Sequence, residues 1–330
     1  MTSRRLLGTV ALGAASVLAL AGCAGSGSDA DSSGASDDGV ITVVASMNVY
    51  GDIAEAIGGD AIEVTSIIDS VSADPHEYEA TASDKLAVSK GDLIIENGGG
   101  YDAFMDTLID SSGTDAPVVT AVEFSHDWPG NGGHEHTDDA DETHADDDHD
   151  GHGHVEGFNE HVWYDPHTIA HVAEEIAHQL GELDPANADT YEKNYEEFAQ
   201  GIEGLEDSLE KIAAAHGGEQ IFVTEPVPLY LTAAAGLENA TPDAFSEAVE
   251  EGQDVPPATL LEATRILEGG TVRILFVNAQ TGGPETDQVI SVAKAQSIPV
   301  NEVSELLPEG ETYLTWMQAN IDAISASLAE

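Results

Sequence analysis

From Val40 onward the chain alternates short apolar, β-branched runs with segments whose apolar residues recur every three or four positions. Residues 40–45, 62–68, 93–96 and 118–122 read as strands, with helices over 49–57, 83–89 and 101–109 between them. After a helical stretch over 166–183, Tyr191, Tyr195, Phe198, Ile202, Leu205, Leu209 and Ile212 line one face of a longer helix over about 186–215. At 1.5 Å per residue, roughly 30 residues reach about 45 Å, long enough to join two lobes. Alternation then resumes, with strands over 221–224, 272–277 and 299–303 and helices over 228–235, 257–267, 284–295 and 312–328. The pattern predicts an α/β protein: two similar lobes with mainly parallel sheets, joined by a long α-helix.

The N-terminal end follows different rules. Arg4 and Arg5, an apolar run over 6–20 and then small residues make residues 1–22 a signal peptide. The run ends in Leu20-Ala21-Gly22-Cys23, which resembles the lipobox of bacterial lipoproteins; that resemblance implies cleavage before Cys23 and a lipid on its sulfur. Cys23 is the only cysteine, which excludes a disulfide within the chain. Residues 23–39, rich in Ser, Gly, Ala and Asp, form a flexible tether. The expected organisation is then a first lobe over 40–184, a connecting helix over 185–215 and a second lobe over 216–330.

Charge removes one class of partner. Past residue 22 the chain carries seven Lys and Arg against 63 Asp and Glu, a formal charge of −56. Such a surface repels phosphate backbones, so nucleic acid is not a partner.

Histidine supplies the chemistry. Eleven of the 13 histidines fall between His126 and His178. Within that stretch His134, His136, His144, His149, His152 and His154 stand among nine acidic residues with no Lys or Arg. So polar a segment cannot bury a core, and 126–157 reads as a disordered loop whose imidazoles bind metal weakly. Four further candidates sit where α/β sheets bind ligands, past the carboxyl ends of strands. They are His76, His161, Glu225 and Glu305, two from each lobe, so a cation between the lobes could be held by both. His167, His171 and His178 read as one helix face, and His126 and His216 as surface residues.

The motifs Asp74-Pro75-His76 and His161-Val162-Trp163-Tyr164-Asp165-Pro166, with a His/Asp-rich loop between them, resemble those of the zinc- and manganese-binding substrate-binding proteins of bacterial ABC importers. The resemblance spans about residues 40–328. It implies a metal site in the cleft between two lobes, handover to a membrane permease with its ATPase, and a monomer held on the outer face of the cell membrane. The family's ligands fall on His76, His161, Glu225 and Glu305. Glu225 stands where zinc members commonly carry His, Glu305 where Asp is usual, and Glu160 where Pro is frequent. The His-rich loop is typical of zinc members and favours Zn2+ over Mn2+. The competing readings are a secreted zinc-dependent hydrolase, which needs an open coordination position and a general base, and a metal-buffering surface adhesin. His167 and His171 lack the Glu that a zincin places directly after its first His.

Overall fold

The computed structural model describes residues 40–70, Pro75, 78–131, Val155 and 157–329. Cys23, His76 and the six histidines of the 134–154 tract lie outside the described residues, as do residues 1–39, expected above to be a signal peptide and a tether.

Two four-stranded sheets carry the fold. β1 (Ile41–Met47), β2 (Ile62–Ile68), β3 (Leu93–Glu96) and β4 (Val118–Thr120) form the first, in the order β2-β1-β3-β4 with every pair parallel. Its crossovers include α1 (Asn48–Gly58), α2 (Ala82–Val88) and α3 (Ala103–Ser112). Then α4 (Pro166–Leu183) and the 29-residue α5 (Ala188–His216) lead to the second sheet. There β5 (Gln220–Val223), β6 (Glu238–Asn239), β7 (Val272–Asn278) and β8 (Val300–Val303) take the order β6-β5-β7-β8, again wholly parallel. Between and after them run α6 (Leu229–Ala234), α7 (Asp243–Glu250), α8 (Pro257–Glu268), α9 (Pro284–Ala295) and α10 (Tyr313–Leu328). The central strands β1 and β7 are buried almost throughout, as parallel strands covered on both faces must be.

Local chemistry explains several element ends. Asp165 caps α4 by accepting the His167 N–H at 3.2 Å, and Pro166 supplies the first helical turn without wasting a donor. α2 starts at Ala82, a residue before the expected Ser83, because Thr81 and Asp84 form a reciprocal capping box. α3 starts at Ala103, two residues later than its apolar pattern suggested. The Asp102 carboxylate draws the chain back by accepting the Asn97 and Gly98 N–H groups at 2.7 and 2.8 Å. Gly98, Gly99 and Gly100 all have positive φ in that turn, and a Cβ on Gly98 would meet Thr120 Cγ2 at 2.5 Å. The two-residue β6 and eight-residue α7 were not expected at all.

One apolar core runs through both lobes. It joins Val43 and Ile95 of the first sheet, Ile169 and Ile176 of α4, Phe198 and Leu205 of α5, Ile221 and Phe276 of the second sheet, and Tyr313 and Ile324 of α10. Each such side chain contributes about 1.5–3 kcal/mol when fully buried. Hydrogen bonds cross the same boundary: Tyr164 donates to the Ser304 carbonyl at 2.7 Å, Tyr313 to that of Trp163 at 2.9 Å, and Asn48 to that of Leu307 at 2.8 Å. The lobes are therefore joined by packed surface as well as by α5. Among the described residues no helix is long and apolar enough to cross a membrane.

Candidate metal centre

Parallel pairing puts the carboxyl ends of β5, β7 and β8 side by side, with β7 in the middle. Glu225 follows β5 by two residues, Glu305 follows β8 by two, and Asn278 ends β7 between them. The geometry follows from that order. Asn278 Nδ2 donates to Glu225 Oε2 at 2.7 Å and to Glu305 Oε1 at 2.6 Å, so one neutral amide bridges two buried carboxylates. Thr281 adds a hydroxyl bond to Glu225 Oε1. The other Glu305 oxygen accepts a 2.6 Å bond from Tyr101, which the glycine turn after β3 delivers from the first lobe. A Tyr donor and a carboxylate acceptor thus meet across the cleft.

His161 comes from the first lobe, in the segment preceding α4, and is fully buried. Its Nδ1 lies 2.8 Å from Asn159 Oδ1. The Asn159 amide is oriented independently, since its Nδ2 donates to the Pro226 carbonyl at 3.1 Å. Nδ1 of His161 is therefore the donor, which makes Nε2 the acceptor of the ring. That Nε2 lies 3.9 Å from Glu250 Oε1. The rings of Tyr101 and Trp163 stand 5.6 and 5.1 Å from the imidazole and keep it from tilting. Asn159 also ties the His161 segment to the Glu225 loop, because its carbonyl accepts the Tyr230 hydroxyl at 2.8 Å.

The structure thus brings His161, Glu225 and Glu305 to one cleft, while His76 lies outside the described residues. The described groups do not form a closed shell: among the described residues no three His, Cys, Asp or Glu side chains gather at ligand spacing. The carboxylates are held by Asn278, Tyr101 and Thr281 instead. His126, His167, His171 and His178 are exposed, the last three along one face of α4, as their spacing suggested. His216 is half-buried beside Glu219.

Five participants were not foreseen from the sequence. Tyr101, Asn159, Asn278 and Thr281 carried no signal beyond lying near strand ends and the His161 motif. Glu250 carried none, being one of three acids between residues 247 and 251. In the fold it faces the cleft, and its carboxyl is pushed up to about 9, first by burial and then by the charges of Glu160, Glu225 and Glu305.

Comparison with known proteins agrees with this architecture. Residues 43–327 match the family described as zinc-uptake complex component A, periplasmic. The manganese ABC transporter substrate-binding lipoprotein PsaA of Streptococcus anginosus is 27% identical over 343 residues, covering 98% of this chain and 99% of the relative. The manganese-binding lipoprotein MntA of Halalkalibacterium halodurans is 26% identical over 319 residues, covering 92% and 94%. The periplasmic zinc-binding protein TroA of Treponema pallidum shares the fold, with a TM-score of 0.68 at 19% identity over 88% of this chain and all of that one. The chain belongs to the zinc-uptake component A family and is a substrate-binding protein of a metal ABC transporter rather than an enzyme.

Proposed function

We propose that this chain is a lipid-anchored, extracytoplasmic receptor that captures zinc between its lobes and delivers it to an ABC-type importer, its permease and ATPase. The reading assigns the metal to His76, His161, Glu225 and Glu305, with Cys23 carrying the lipid, and takes the protein as a monomer. The organisation proposed with it is a first lobe over 40–184, a connector over 185–215 and a second lobe over 216–330. The observation that carries the assignment is the pairing of a buried imidazole, its Nε2 turned to the cleft, with two carboxylates bridged by Asn278. Neutral imidazole and carboxylate together suit a borderline divalent ion. Zinc is favoured by the histidine-rich tract at 134–154, whose weak sites would raise the local metal concentration.

Manganese is the second reading, and a specific observation favours it. The described donors are richer in oxygen than in nitrogen, and oxygen ligands suit the harder ion. Metal analysis of protein purified without added metal, followed by competition titration of Zn2+ against Mn2+, tests the choice. A tight constant for Mn2+ with weaker Zn2+ binding would reject the zinc assignment. Mass analysis of membrane-extracted protein, with Cys23→Ala as control, tests the anchor.

A further inference from the structure

Glu250 ends α7, which is pinned to the second sheet by Phe245, fully buried with its ring 5.4 Å from that of Phe222. The helix therefore holds Glu250 firmly. Its Oε1 is inaccessible to solvent and accepts no hydrogen bond among the described residues. The carboxylates whose charge it feels most are Glu160, Glu225 and Glu305. Here the contrast within the cleft is informative. Glu225 and Glu305 each receive neutral donors, whereas Glu250 faces acids and the Nε2 of His161 at 3.9 Å. A buried acceptor left in that state opposes folding, and a cation relieves it.

We propose that Glu250 is a further ligand of the captured metal, supplied by α7 across the cleft from His161. The inference rests on the metal-receptor reading and adds a donor to it. Bonds of about 2.0–2.2 Å from an ion to nitrogen and to oxygen can span the observed separation at a wide angle. With His161, Glu225 and Glu305 it makes three carboxylates to one imidazole among the described donors. Oxygen-rich sets suit the harder ion, so losing Glu250 weakens Mn2+ more than Zn2+.

The test is calorimetric titration of Zn2+ and of Mn2+ into the full chain, as wild type, His161→Ala, Glu250→Gln and Glu250→Asp. Melting temperatures are measured metal-free alongside. We expect His161→Ala to abolish the tight site. Glu250→Gln should weaken it by about tenfold or more, with the larger loss for Mn2+, and Glu250→Asp should restore part of that loss. The metal-free Glu250→Gln protein should melt no lower than wild type, because the amide matches the buried carboxyl in size and carries no charge to desolvate. A tight site surviving in His161→Ala would overturn the underlying site assignment. Loss of the site in His161→Ala with a smaller than tenfold change in Glu250→Gln would overturn the role of Glu250 alone. So would a lowered metal-free melting temperature with metal constants kept, which is the signature of a merely structural ion pair.

Discussion

The two lobes share one topology and use it differently, and the difference lies in three adjacent strand ends. Counted along the ladders, Ser46, Glu96 and Val122 of the first lobe stand where Glu225, Asn278 and Glu305 stand in the second. The first lobe places one acid between two neutral residues; the second places one neutral amide between two acids. Glu96 is consequently isolated. It accepts the Thr120 hydroxyl at 2.9 Å, and burial, helped by Asp102, pushes its carboxyl up to about 7. In the second lobe the two acids share Asn278 as a donor and are kept within a few ångströms of one another. A parallel sheet offers the same crevice twice, and residue choice at three positions makes one of them attractive to a cation. The first lobe answers with an oriented imidazole and a tyrosine instead.

Changes on either side of this comparison should differ in size. The largest effect is expected from His161→Ala, which removes the described nitrogen donor and should abolish tight metal binding while the fold persists, as calorimetry with circular dichroism would show. Asn278→Ala comes next. It leaves two buried carboxylates facing each other without their shared donor, at about 1–3 kcal/mol for each unsatisfied group. Metal affinity should fall by about 10–100-fold and the metal-free melting temperature should drop. Removing the first lobe's donor is milder: Tyr101→Phe deletes one bond to Glu305, worth about 1.5–3 kcal/mol, and Asn278 still holds the other oxygen. Its melting temperature should fall less than that of Asn278→Ala.

The pH dependence is the most diagnostic of the two-lobe contrast. Glu96 and Glu250 both have raised carboxyls, so each favours the metal-free fold fully below the ordinary carboxylate range near 4.5. That contribution is lost as pH rises through about 7 for Glu96 and about 9 for Glu250. Metal-free protein should therefore melt at progressively lower temperature from about pH 5 to 9. Glu96→Gln should flatten the fall only below about pH 7, whereas Glu250→Gln should flatten it up to about pH 9. A pH profile identical in all three proteins would remove both carboxylates from the account.

What the sequence determined by itself is the part encoded at short range. Strand and helix alternation reports burial of neighbouring residues, which is why the two sheets, α4 and α5 were legible from apolar spacing. The exits of Glu225 and Glu305 from β5 and β8 were legible for the same reason, since a strand's end can be read from where its apolar run stops. Tertiary structure decided the rest. Whether Asn278 would lie between two acids depended on strand order, and strand order depends on contacts between residues far apart in sequence. The direction of the His161 lone pair was settled by Asn159, whose own amide is oriented from the second lobe. Glu250 shows the limit most plainly. An acid on an eight-residue helix among other acids looks like a solvated surface group. Only the packing of Phe245 against Phe222 turns that helix end into the cleft, because burial is a property of the assembled core and not of the residues beside it in the chain.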